Sequence, residues 1–374
     1  MRKRPHPLVS RDVLLALNAA ADLPREAVCR LAKDLPLWLD ASGDPALLAR
    51  TLGLPAPVLG RALELRQRAA RIAGEELRKA EALGVAVVTR EEPGYPPALH
   101  DLPLPPPVLF VRGELPERPS IAIVGSRRMD PYGREVATLF ARQLAASGLA
   151  VVSGFAQGID ATAHRAAIAV PEGRTVAVLG CGHGVDYPRG HRKLGDEIAS
   201  AGALVSEFPC GREPTTWGFP VRNRIIAALS HGVLIVQAAC RSGSLITARL
   251  ALELGREVYA VPGRIFDDKA IGPNTLLRDG AALVQHPNDI LEGLPASIRS
   301  QLRLETSSPA DQPPSLPGLQ GRLVQVLRPG EPLAPEDLAA KLDTRLDEVL
   351  AVLLELELMG RVRRYPGPCY GGCA

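Results

Sequence analysis

From Ile121 to about Leu291 the chain alternates short, almost wholly apolar runs with helix-length segments, and that alternation leaves few folds open to it. The runs are IAIV, AVVSG, TVAVLG, ALVSEF, VLIVQA, EVYAVPG and ALVQH; between them stand REVATLFARQLAASG, GIDATAHRAAIAV, HRKLGDEIASAG, NRIIAALS and SLITARLALELG. A strand that is apolar along its whole length must be covered on both faces, and a helix is the usual crossover between parallel strands. The expected fold class is therefore α/β, with a Rossmann-like, mostly parallel sheet as its core. Ligands of such sheets gather outside the carboxyl ends of the strands.

The first of those ends, in IAIVGSRRMDPYG, carries the clearest chemistry. A strand running through a tight turn into a helix leaves the helix's first N–H groups unpaired, and the helix dipole adds positive charge there. Around Gly125, the Ser126 hydroxyl can donate, and Arg127 and Arg128 can fork onto phosphate oxygens. The same character recurs at other strand ends. Ser153 and Gly154 precede GIDATAH, Arg174 introduces the third strand, Arg222, Asn223 and Arg224 open the helix after WGFP, and Ser242, Gly243 and Ser244 open another with Thr247 one turn in. Together they predict a wide basic floor for phosphate. The phosphate of a small nucleotide, a dinucleotide or a nucleic-acid backbone would each fit.

The 374 residues exceed what one hydrophobic core usually supports. Residues 1–80 read as short helices broken by Pro and Gly-Asp-Pro, a small helical domain of the SAM or helix-hairpin-helix kind. It serves either as a packing module or as a contact for DNA backbones. Residues 81–295 hold the core with its N-terminal extension, in which VLFV can add to the sheet. Residues 296–319, rich in Ser, Pro and Gln, read as a flexible linker. In residues 320–374 three amphipathic helices and RVRRYPGPCYGG suggest a winged helix, which reads nucleic acid in some proteins and binds protein in others. The acidic ELEL stretch before the wing weighs against DNA.

Apolar residues make up 46% and charged residues 23%, and no apolar run approaches the roughly 20 residues that cross a bilayer. Asp12 interrupts the N-terminal apolar positions, unlike a signal peptide. With six scattered cysteines this predicts a cytoplasmic protein without membrane insertion. The net charge of +3 identifies no partner by itself. Enzymatic signatures are weak. GxxxxGK[ST] is missing, and GCGHGVD has glycines 180, 182 and 184 without the third dinucleotide glycine in place. Asp160 and His164 have acid/base spacing, but Asp160 sits where it would support a helix start. His183, Asp186 and His191, and the terminal Cys369 and Cys373, match no metal spacing. No catalytic residue, metal or cofactor is predicted.

The succession GYPPAL, PPVLFVRG, IAIVGSRRMDPYG, VVSGFAQGIDATAH, GRTVAVLGCG, DYPRGHRKL, VSEFP, GFPVRNRIIAALS, SGSLITARLALELGREVYAVPG and NTLLRDGA, dense from about Gly94 to Ala282, resembles the DNA-processing protein DprA (Smf) family. The resemblance implies a bacterial protein that binds and protects incoming single-stranded DNA. It also implies a homodimer formed through the Rossmann domain, which helps load RecA recombinase during natural transformation, with single-strand-binding protein as a further partner. It implies no reaction. The family's phosphate-binding arginine in G-[ST]-R matches Arg127, and its basic residue in G-[KR]-T matches Arg174. Gln237 stands where an acidic residue is usual, Gly272-Pro273-Asn274 where Gly-Thr-Asn is usual, and His191 where Asn is common. The rival reading is a Rossmann-type enzyme that binds or hydrolyses nucleotides, like the hydrolases resembling lysine decarboxylases, whose PGGxGTxxE signature is missing here.

Overall fold

The computed structural model describes residues 7–39, 45–303, 318–327 and 332–372. Its N-terminal part is the helices α1 (Pro7–Ala19), α2 (Arg25–Lys33), α3 (Leu35–Trp38), α4 (Pro45–Leu52), α5 (Ala56–Gln67) and α6 (Ala69–Ala82). Pro24 and Pro55 stand just before α2 and α5, where their fixed φ suits a helix start. Trp38 is fully buried and donates its indole N–H to Leu31 O at 2.8 Å. This apolar cluster continues into Val108 and Phe110 of the core, so the helical domain is fused to the sheet instead of tethered to it.

The core runs β1 (Ala86–Thr89), β2 (Val108–Gly113), β3 (Ser120–Val124), α7 (Pro131–Ala146), β4 (Ala150–Ser153), α8 (Ile159–Ile168), β5 (Arg174–Val178), α9 (Arg192–Ala201) and β6 (Gly202–Ser206). It continues through α10 (Gly218–Ala228), β7 (Gly232–Ile235), α11 (Gly243–Glu253), β8 (Glu257–Ala260), α12 (Ile271–Arg278), β9 (Ala282–Leu283), α13 (Pro287–Gly293) and α14 (Ala296–Arg299). The strands form one nine-stranded sheet in the order β1-β2-β6-β5-β4-β3-β7-β8-β9. β3 to β9 pair in parallel, and β1 and β2 close one side antiparallel. VLFV does join the sheet as β2; β1 escaped the sequence reading. On one face α10 and α11 pack Ile225, Ile226, Ala248 and Ala251 onto Val124 and Val176. On the other, α7 and α8 pack Phe140, Leu144, Ala163 and Ala167 onto Ile121 and Ile123.

From β3 the chain moves outward through β4, β5 and β6, then returns to lay β7, β8 and β9 on the opposite side. The reversal opens a crevice between the carboxyl ends of β3 and β7, where doubly wound sheets bind ligands. Ser126 N donates to Gln237 O at 2.7 Å and joins the two loops across it.

The first eight residues of the expected linker, 296–303, lie against the core. Ile298 and Leu302 pack against the core, Arg303 N donates to Ser147 O at 2.9 Å, and its guanidinium meets Glu172 at 2.6 Å. Apolar contact therefore holds residues 296–303, while 304–317 lie outside the described residues. Beyond them α15 (Gly318–Val326), α16 (Pro335–Leu342), α17 (Leu346–Leu358), β10 (Val362–Tyr365) and β11 (Cys369–Gly372) enclose Leu323, Leu338, Val349, Leu353 and Leu356. Tyr365 of the β10–β11 hairpin donates to Glu135 in the first turns of α7, which brings the wing against the core. Among the described residues no helix is long and apolar enough to cross a membrane.

Candidate nucleic-acid interface

The turn after β3 is held from two sides. A Cβ on Gly125 would lie 2.8 Å from Ile159 Cγ1 and 2.9 Å from Gln237 O, so only glycine passes between α8 and the loop after β7. Gly158, at φ +81°, lies against the backbone of Ser126 and Arg127, a left-handed conformation that glycine alone adopts without strain. Ser126 O accepts from Ile159 N at 3.2 Å, and its Oγ accepts from Arg128 N at 3.1 Å. Asp130 caps α7 by accepting from Gly133 N at 2.8 Å.

This rigid turn holds Arg127 exposed at the junction of two adjoining cavities. One, of about 460 Å³, is lined by Gly125, Arg222, Asn223, Ser242, Gly243, Ser244 and Thr247. The other, of about 610 Å³, is lined by Gly154, Phe155, Tyr187, Arg189, Asp186 and Glu213 among others. Arg127, Tyr187, Phe219 and Arg222 belong to both. The Arg127 guanidinium lies 5.1 Å from the centroid of the Phe219 ring, which in turn meets Tyr187 at 5.4 Å. Beside them Trp217 is exposed, with Arg212 over its ring at 5.8 Å.

Nine of the fourteen predicted residues thus line one continuous opening: Gly125, Arg127, Gly154, Arg222, Asn223, Ser242, Gly243, Ser244 and Thr247. Several have other work within it. Arg222 is buried and donates to the carbonyls of Gly154 and Val178, and its Nε to Asn223 Oδ1 at 3.1 Å. These bonds tie α10 to the ends of β4 and β5, while the side chain also lines both cavities. Burial lowers its pKa to about 10, against the opposing pull of Asp160. Asn223 donates to Gly243 O at 3.1 Å and so anchors the start of α11. Ser242 caps that helix, its Oγ 2.8 Å from Ser244 Oγ.

The remaining predictions are displaced. Arg174 begins β5 and sits at the amino end of the sheet; the rest of that five-residue parallel strand, at about 3.3 Å per residue, separates it from the opening. Arg224 is two residues from Arg222, hence on the far side of α10. There it grips Glu207 at 3.0 and 2.7 Å, facing the helical domain. Ser153 is fully buried and donates to Ile123 O at 2.6 Å. Arg128 is exposed and Ser126 partly so, both beside the cavities and not in their linings. Sequence reading passed over Phe219, Tyr187 and Arg189. The signal for Phe219 was the helical spacing 219, 222, 223, 226, which defines the cavity face of α10 and leaves Arg224 off it.

Asp160 and His164 make no acid/base pair. Asp160 accepts from Ala156 N at 3.3 Å, with burial pushing its carboxyl pKa up against Arg222. His164 Nδ1 meets Thr175 Oγ1 at 2.7 Å, and burial holds the ring neutral down to about pH 3. His183 is bonded to Phe110 O at 2.9 Å, and His191 lies edge-on to Phe155. Among the described residues no group of His, Cys, Asp or Glu is placed to hold a metal; Cys373 lies outside them. Gln237 donates to Asp130 Oδ2 at 2.8 Å, a bond an ionised carboxylate there could not make.

The family description "DNA recombination-mediator protein A" matches residues 86–295, and the DprA winged helix domain matches 307–368. The chain belongs to the DprA (Smf) family. Protein Smf of Escherichia coli (strain K12) is 44% identical over 280 residues, which are 73% of this chain and 74% of that one. The DNA processing protein DprA of Bacillus subtilis (strain 168) is 42% identical over 57% of this chain and 72% of its own. DprA from Streptococcus pneumoniae superposes with a TM-score of 0.66 at 30% identity, covering 79% of this chain and 99% of that one. DprA from Helicobacter pylori, described for its single-stranded DNA binding mode, gives 0.51 at 31% identity over 56% and 97%.

Proposed function

We propose that this DprA-family protein binds single-stranded DNA along the carboxyl edge of its sheet, protects it, and acts as a mediator that helps load RecA recombinase during natural transformation. The observation that carries the reading is Arg127, whose guanidinium makes no hydrogen bond or ion pair among the described residues and rests on the Phe219 ring beside the N-terminus of α11. A phosphate on Arg127 leaves the neighbouring bases next to Phe219 and Tyr187. Aromatic platforms beside a backbone cation suit unpaired bases of any sequence, whereas a duplex hides their faces.

A role in binding, without catalysis, fits the same chemistry: Asp160 and His164 are buried and engaged. A second copy and single-strand-binding protein are proposed as partners, together with a cytoplasmic location; for the second copy, β9 offers an open sheet edge with Leu283 half exposed. Competition against a labelled oligothymidylate tests the reading. Unlabelled single strands of any sequence should displace it, and duplex far less. Equal displacement by a mononucleotide would favour a nucleotide-binding enzyme.

A further inference from the structure

The third helix of a winged-helix domain is the one that enters a DNA groove in proteins that read DNA, and here α17 is built against that use. One side of it carries Val349, Leu353 and Leu356 into the domain core. The other exposes Leu346, Leu350, Leu354 and Leu358, at 39, 45, 57 and 82%, in an unbroken i, i+4 ridge continued by Met359. Four exposed leucines at helical spacing form a stripe that a surface helix of an isolated domain does not need. All charged side chains of α17 are acidic: Asp347, Glu348, Glu355 and Glu357. Arg345, at its start, is taken up by Asp347 at 2.9 and 3.1 Å.

We infer that this face of α17 is a docking site for a cationic amphipathic helix of another protein. The charges decide among occupants. Nucleic acid would bring its phosphates against carboxylates. A second copy of α17, packed leucine to leucine in either direction, would bring four acidic residues onto four more without a compensating base. A helix with leucines on one side and Lys or Arg beside them buries the ridge and pairs with the acids at once. The domain's basic side chains among the described residues, Arg322, Lys341, Arg345, Arg361, Arg363 and Arg364, all lie outside α17, and Arg363 and Arg364 are exposed on the wing strand β10.

The test uses the full chain and a fluorescent synthetic helix of leucine and lysine, with its leucine–glutamate counterpart as control. The lysine helix should bind and the glutamate helix should not. Leu350→Asp with Leu354→Asp should weaken binding about tenfold or more, since each exchange removes apolar contact from the ridge. Glu348→Lys with Glu357→Lys should weaken it comparably while leaving the leucines in place. Both sites are solvent-facing, so an unchanged thermal midpoint verifies folding. Equal binding by wild type and both variants would overturn the assignment. So would a concentration-dependent dimer abolished by Leu350→Asp, which would make the face a self-contact, or loss of oligonucleotide binding in the same variant, which would make it a DNA surface.

Discussion

Two arginines two positions apart show how far a residue's role depends on its face. Arg222 and Arg224 read alike in the sequence, yet one braces β4 and β5 under the cavity and the other pairs with Glu207 beneath the helical domain. Arg222→Ala should destabilise the fold by about 3–5 kcal/mol in urea titrations, because it leaves buried carbonyls without a donor and Asp160 without its counter-charge. Arg174→Ala, at the opposite sheet edge, should leave oligonucleotide affinity within about twofold. The buried histidines make a further prediction. Burial, with Arg222 nearby, lowers His164 to about 3, and burial lowers His183 to about 4 although Phe110 O opposes it. The unfolded chain takes up protons near the ordinary value of 6.5 that the folded chain refuses. Stability should thus fall as pH drops below about 6.5, by roughly 2 kcal/mol per histidine at pH 5, read from denaturation midpoints.

At the scale of elements, the polar contact between the helical domain and the core centres on one buried carboxylate, beside the apolar cluster they share. Glu207, fully buried after β6, meets Arg25 of α2 at 2.9 Å and Arg224 of α10 at 2.7 Å, and its carbonyl accepts from Asn18 at 3.1 Å. Burial would raise its pKa, but Arg224 and Arg25 outweigh that and hold it below the ordinary value. The stabilisation is therefore present above about pH 4.5 and is lost as the pH falls through the depressed value. Arg25→Ala should cost about 3 kcal/mol and loosen the helical domain first, as faster amide exchange in α2. None of this was legible in the sequence, since contact between residues 25, 207 and 224 depends on tertiary packing. The strands and helices of the core were legible because apolar runs and crossover-length helices repeat with one period. β1 was not, its AVVT being short and half-exposed, nor was the packing of residues 296–303, where Ile298 and Leu302 lie among polar residues.

For the whole molecule, the sheet order sets the candidate site: the reversal between β3 and β7 puts the Arg127 turn, Phe219, Tyr187 and the N-terminus of α11 at one crevice. The loop itself was visible as strand, glycine, serine and arginine. Its ring partners were not, because Tyr187 and Phe219 belong to segments that the fold alone brings to Arg127. The most direct test is fluorescence anisotropy of labelled single strands against wild type, Arg127→Ala and Arg174→Ala across a salt series. Arg127→Ala should lose about tenfold or more in affinity and lower the salt slope by about one, with Arg174→Ala close to wild type. Unchanged affinity and slope in Arg127→Ala would contradict the account and move the DNA site away from this crevice.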